Sequence, residues 1–250
     1  MNAVSSLCLG LLASLSLGCL GCADAPGRPA SVSAVPRPEQ VANFDILYKE
    51  NCSGCHGESG KNGAALPLAN PVYLAIVGEA TLRQVIAQGV AGTLMPAFQR
   101  SAGGTLTGQQ IDELVAGISK VWSRPGAIGT ATAPSYSGGS KGDSTHGQKA
   151  FATFCARCHG VDGKGEKAQP GNPDSVPGSI VDPSYLSLVS NQSLRSSIIA
   201  GWPGQRMPDW RSDTPEPGAR AMTDQEVTDV VAWLAAQRTA YPGQPYAPQR

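Results

Sequence analysis

Residues 52–56 read Cys-Ser-Gly-Cys-His, and residues 155–159 read Cys-Ala-Arg-Cys-His. Each run is followed by a glycine, Gly57 and Gly160. Two thiols two residues apart can make half of a zinc site or a redox dithiol. Neither chemistry asks for a histidine immediately after the second thiol, and neither asks for the whole run twice. A redox dithiol also expects a single motif near a βαβ unit, and the chain has no strand-rich pattern of that kind.

C-x-x-C-H is the attachment signature of a c-type haem. Two thiols add across the two vinyl groups of one porphyrin edge, so they must lie a short fixed distance apart. The next residue, His, then reaches the iron as proximal ligand. Cys52, Cys55, Cys155 and Cys158 are thus expected to carry two covalent haem c groups, with His56 and His159 on the irons. Of the seven cysteines, the remaining three (Cys8, Cys19 and Cys22) all lie in the first 22 residues. The folded part therefore has no spare thiol for a disulfide or a cysteine iron ligand.

Residues 1–22 hold an apolar run, broken by Ser and Gly, before the first charge at Asp24. It reads as the core of an export signal, although no Lys or Arg precedes it. Leu20-Gly21-Cys22 resembles the end of a bacterial lipoprotein signal, which would put a lipid on Cys22 and attach the protein to a membrane. Ala23-Asp24-Ala25 equally fits a small-residue cleavage site. Both readings place the protein in the periplasm or at an extracytoplasmic membrane surface, where c-type haem is attached. Residues 23–40, rich in Pro, Ala, Ser and Arg, read as a tether. Formal charge is zero, with seven basic and seven acidic side chains in residues 36–124 and ten of each in residues 145–250. That balance excludes a nucleic-acid surface and offers no basic docking ring.

From Val41 the pattern becomes helical: Phe44, Leu47 and Tyr48 share a face ahead of Cys52. A Gly- and Pro-containing loop follows to Pro71, then a short helix over Leu82–Ala87, stopped by Gly89. Thr107-Gly108-Gln109-Gln110 has capping-box form before Ile111, Leu114, Val115 and Ile118. Residues 123–144 are Gly, Ser, Thr, Ala and Pro without apolar period and read as a linker. The second half repeats the first. Gly147–Phe154 leads into Cys155, Leu194–Ala200 makes the short helix, and Thr223 caps a helix with Val227, Val230, Val231 and Leu234 inside. The haem motifs stand 103 residues apart, whereas Tyr73/Tyr185, Leu82/Leu194, Gly89/Gly201 and Met95/Met207 all stand 112 apart. The last helices stand 116 apart, Thr107 against Thr223. Collinear offsets of this kind mark two copies of one fold, in residues 41–122 and 145–238, with a tail over 239–250.

The three histidines include only one, His146, outside the two motifs, so a distal histidine is nearly excluded for the first haem and awkward for the second. Four methionines remain. Met1 is in the signal, and Met222 has no counterpart in the first copy. Met95 and Met207 are equivalent, each followed by Pro, and are the expected sixth ligands. A thioether favours ferrous iron and raises the reduction potential.

The assembled marks resemble the class I c-type cytochromes, in tandem: a helix into C-x-x-C-H-G, a loop, a short helix, Met-Pro, and a C-terminal helix. The resemblance implies an all-α architecture of two tandem haem-wrapping domains joined by a flexible linker. It implies one-electron transfer between redox partner proteins rather than catalysis, alone or as a subunit of a respiratory or dehydrogenase complex. The alternative is a dihaem peroxidase-like or other redox enzyme with one open haem. In the family the first and last helices cross at a Gly against an aromatic, and Gly147 with Trp233 fits. The first copy departs, with Phe44 at the Gly position and Gly117 at the aromatic one, which predicts exchanged partners. The proximal histidine of the family donates to a loop carbonyl, expected near Ala65–Pro67. Arg83, Arg195, Tyr73 and Tyr185 are candidates for haem propionates or for packing.

Overall fold

Thr107 and Thr223 open the last helix of each repeat in the same way. Thr107 Oγ1 accepts from Gln110 N at 3.2 Å, and Gln110 Oε1 accepts from Thr107 N at 3.0 Å. Glu226 replaces the glutamine in the second copy, with the same reciprocal pair at 3.2 and 2.9 Å. Each box satisfies amide donors that a helix start leaves open.

The computed structural model describes residues 35–165, 177–211 and 220–239; the expected signal, most of the tether and most of the tail lie outside them. Residues up to Gln40 form a separate unit, of which Pro38–Gln40 is a single 3-10 turn. Val41 onward is one unit containing both repeats. The first repeat contributes α1 (Phe44–Asn51), α2 (Ser53–His56), α3 (Pro71–Gln88) and α4 (Gly108–Trp122). The second contributes α5 (Ser144–Phe154), α6 (Ala156–His159), α7 (Pro183–Leu188), α8 (Asn191–Ala200) and α9 (Asp224–Ala236). Among the described residues β-structure is limited to two isolated bridges, so the fold is all-α as expected.

The short third helix of each repeat begins earlier than apolar spacing alone predicts. In α3 the chain turns helical at Pro71, capped by Asn70, and Gly78 interrupts it at φ +66°. The second copy makes the same path from two separate helices, α7 capped by Asp182 and α8 capped by Ser190. An N-cap residue followed by Pro at the first helical position is a start signal that the loop-like composition concealed.

Each repeat has its own apolar core. The first gathers Leu47, Tyr48, Leu74, Leu82, Ile86, Ile111, Leu114 and Ile118; the second gathers Phe151, Leu186, Leu194, Ile199, Trp210, Val227, Val230 and Leu234. Full burial of such side chains contributes roughly 1.5–3 kcal/mol apiece. Met222 is buried in the second core, where it packs.

The helix crossings carry out the expected exchange. A Cβ on Gly117 of α4 would lie 2.1 Å from Phe44 Cδ2 of α1. A Cβ on Gly147 of α5 would lie 1.9 Å from Asp229 O and 2.9 Å from Trp233 Cβ of α9. The ring therefore sits on the first helix in one copy and on the last helix in the other. Phe151 and Trp233 stack at 4.4 Å in the second copy, while Phe44 and Tyr48 meet Trp122 edge-on at 5.9 and 5.0 Å in the first.

The segment expected to be a flexible linker is instead fastened. Ile128, Ala131 and Ala133 pack on the second core, and Tyr136 packs on the first. Arg195, 4% exposed, donates to Ser135 O at 2.9 Å, Tyr136 O at 3.2 Å and Thr228 Oγ1 at 2.9 Å, and pairs with Asp224. Asp224 also accepts from Ser135 N at 2.8 Å, and Gln192 Nε2 donates to Tyr136 O at 2.9 Å. Backbone groups make most of these bonds, and every residue type carries them. A composition rich in Gly, Ser and Pro cannot report such contacts.

Gly117→Ala is expected to lower the stability of the first repeat by about 1–3 kcal/mol, as overpacking does. Gly117→Trp is expected to cost more, and Gly147→Ala to act on the second repeat in the same way. Denaturant unfolding of the single variants measures each.

Candidate haem attachment sites

In each motif the first cysteine ends the entering helix and the next four residues make one further turn. His56 N donates to Cys52 O and His159 N to Cys155 O, both at 3.0 Å. Gly57 at φ +82° then turns the chain so tightly that a Cβ there would lie 1.9 Å from Lys61 O. Gly160, at φ +73°, ends the second turn likewise. The glycine after each histidine thus folds the following loop back beneath the motif. In the first copy Tyr48 Oη closes the turn by donating to Gly57 O at 2.8 Å. Phe151 stands at the equivalent place in the second copy and has no hydroxyl, so that bond is missing.

His56 is buried, and its Nδ1 lies 2.7 Å from Leu66 O. Leu66 falls within the predicted Ala65–Pro67 window. Burial, partly offset by the Leu66 carbonyl, holds the His56 imidazole below its ordinary pKa, and burial does the same at His159. A neutral ring that donates through Nδ1 leaves Nε2 free to meet a metal, with its plane set by the carbonyl. His159 Nδ1 is also buried, but no carbonyl among the described residues reaches it. The corresponding loop includes residues 166–176, which lie outside the described set.

Burial, with the neighbouring thiol adding to it, pushes Cys52 and Cys155 up to about 12. Neither of these first thiols is the stabilised thiolate that attacks in an exchange dithiol, while the second ones, Cys55 and Cys158, are exposed. Among the described residues no three or more His, Cys, Asp or Glu side chains converge on a metal-ion site. The two C-x-x-C pairs therefore do not join into one four-cysteine cage. What remains in each motif is two thiols on one turn, one beside its core, and an adjacent neutral imidazole; this set fits a covalently held haem.

The methionine segments share a second construction. Gly89 and Gly201 end the short helices at φ +70° and +66°. A Cβ on Gly89 would lie 2.7 Å from Met95 O and 2.6 Å from Pro96 C; on Gly201 it would lie 2.6 Å from both Met207 O and Pro208 C. Each Met-Pro pair leans on bare backbone at a helix end. Met95 O accepts from Val90 N at 3.1 Å, and Phe98 N donates to Ile86 O at 3.1 Å. Met207 exchanges two backbone bonds with Trp202, at 2.9 and 3.2 Å, and Trp210 N donates to Ile199 O at 3.1 Å. Both methionines are half-buried, and Met95 packs on the first core.

Of the other candidates, Arg83, Arg195 and Tyr73 have partners within the protein. Arg83 pairs with Asp112 at 2.5 Å between α3 and α4, and Arg195 holds the inter-repeat segment. Tyr73 is buried edge-on to Tyr136 at 6.5 Å, while Tyr185 is partly exposed. Nothing in the sequence pointed to Asn70, which is 1% exposed and bonds across the repeats.

Two family models match. The one described as Cytochrome c covers residues 144–237, and the one described as Cytochrome C oxidase, cbb3-type, subunit III covers residues 39–116. Over 151 residues the chain is 28% identical to a cbb3-type cytochrome c oxidase subunit FixP of Sinorhizobium medicae (strain WSM419), covering 55% of this chain. The match spans 46% of that relative, about half its length. A chain of the reducing HAO-like protein complex of Kuenenia stuttgartiensis aligns at 18% identity and TM-score 0.44, over 82% of this chain and 100% of that one.

Gly89→Ala is expected to lift Met95–Ala97 away from the helix end. Amide hydrogen exchange at Phe98 and Gln99 should then rise by about tenfold, as loss of one backbone hydrogen bond implies.

Proposed function

We infer, for a chain that belongs to the c-type cytochromes through two cytochrome c domains in tandem, that it is a dihaem carrier of single electrons with both irons ligated by His and Met. The cytochrome c domains imply covalent haem c, and haem supplies the one-electron iron couple. Cys52 and Cys55 would hold one group, Cys155 and Cys158 the other. His56 and Met95 would supply the iron ligands of the first, His159 and Met207 those of the second. The observation that carries the reading is the repetition of both halves of the ligand apparatus. Each C-x-x-C-H turn is paired with a Met-Pro segment seated on a positive-φ glycine. A site built to bind substrate at iron would leave one of those segments without its seat.

The chain's part in electron transfer is to hold the ligands still. The Leu66 carbonyl fixes the His56 ring, and the glycine seats fix the Met95 and Met207 backbones. An iron with the same ligands in both oxidation states reorganises little, and a thioether raises its potential.

The setting is extracytoplasmic, supported by the export-like first 22 residues and by the compartment in which c-type haem is attached. Attachment to the membrane would run through a lipid on Cys22; among the described residues no helix is long and apolar enough to cross a bilayer. The FixP relative is named as a subunit of a cbb3-type oxidase, which supports a redox partner within a respiratory complex.

Optical spectra of the purified protein test this. Low-spin haem with a far-red Met–iron band, two haems per chain and no shift on adding carbon monoxide to the reduced protein are expected. A high-spin haem that binds carbon monoxide would replace the carrier reading with that of an enzyme having one open site.

A further inference from the structure

The buried amide of Asn70 carries four hydrogen bonds, two within its own repeat and two across to the other. Its Oδ1 accepts from Val72 N at 3.0 Å and Tyr73 N at 3.3 Å, capping α3. Its Nδ2 donates to Ala200 O at 2.9 Å and Gly201 O at 3.2 Å, the last carbonyls of α8 in the other repeat. The chain on both sides of that bond leads to an expected iron ligand. Upstream, Ala69 N donates to Gly60 O at 2.8 Å, in the loop whose Leu66 carbonyl orients His56. Downstream, Gly201 is the seat of Met207 and Pro208, and the next amide, Trp202 N, donates to Met207 O at 2.9 Å.

The equivalent residue in the second copy, 112 positions on, is Asp182. It caps α7 through Tyr185 N at 3.0 Å and is exposed. A carboxylate is as good a helix cap as an amide. It has no donor to offer a carbonyl. The first copy therefore departs from its twin at a cap that faces the other repeat's helix end, where donors are needed. Ala200 joins the first core, and Val72 and Ile76 pack on the second, so the contact is closed to water.

We propose that Asn70 is a positioning residue that ties the Met207 segment to the His56 loop, so that the axial methionine of the second haem is held by the first repeat. This rests on the His/Met reading above. Loss of the tie frees Met207 and leaves Met95 alone, although Asn70 belongs to Met95's own repeat.

The test uses the full holoprotein with Asn70→Asp and Asn70→Ser. Both keep a side-chain oxygen to cap α3, and both lack the Nδ2 amide that reaches Ala200 and Gly201; the shorter serine adds no buried charge and covers the case in which the aspartate variant fails to fold or takes up a proton. Imidazole displaces methionine from ferric iron at a rate set by opening of the Met–iron bond. In the variants, half of the far-red band is expected to be lost about tenfold faster than in the parent, the loss of one to two buried hydrogen bonds. The other half is expected to keep the parent rate. Proton spectra of the reduced protein, in which each bound methionine methyl is resolved, assign the fast half to Met207. Equal rates in variant and parent, or acceleration of both halves together, would overturn the tie. A parent protein without two Met–iron signals would instead overturn the ligand reading on which it rests.

Discussion

Two helices can close to their shortest approach only where one of them presents no side chain. In this protein that requirement is met twice, at Gly117 under Phe44 and at Gly147 under Trp233. A cytochrome domain depends on it because the entering helix carries the C-x-x-C-H turn and the last helix supplies much of the core behind it. If the crossing opened, the histidine would keep its place in the sequence and lose its place beside the core. The exchanged partners show that the constraint is on combined volume. Glycine can sit on either helix provided the ring comes from the other.

The same economy recurs at the short helices. Gly89 and Gly201 end a helix in a conformation that ordinary residues avoid, and they also leave room for the Met-Pro backbone to lie against the helix end. One residue thus stops the helix and seats the Met-Pro segment. Around these common parts the copies diverge. Tyr48 ties the first motif turn through its hydroxyl, whereas Phe151 can only stack. Asn70 reaches across the repeats where Asp182 stays at the surface.

The join between the repeats is the part that composition misread. Residues 123–144 look like a tether because they lack apolar period, yet Arg195 grips their carbonyls and Tyr136 lies against Tyr73. A buried guanidinium needs several acceptors, and a chain with few large side chains can place its carbonyls close to one. Arg195 had two plausible uses from sequence, a propionate or packing, and the difference lay wholly in which carbonyls came near it. With Asn70 and the packing of Val72 and Ile76, this makes the two halves one unit.

The proposed chemistry was legible in the order of residues: two C-x-x-C-H runs, two Met-Pro pairs and matched offsets single out the candidate ligands without any coordinates. Covalent attachment and axial ligation depend on residue type and short spacing, which are local. The first and last helices of each repeat and both capping boxes were legible for the same reason, and the glycine–aromatic exchange followed from aligning one copy with the other. The family resemblance placed the carbonyl for His56 near Ala65–Pro67, and tertiary structure decided that Leu66 supplies it, that Arg195 binds backbone, and that Asn70 spans the repeats. Each of those contacts joins a side chain to main-chain oxygen. Main-chain oxygens are identical at every position, so no pattern of residue types can single one out before the chain has folded.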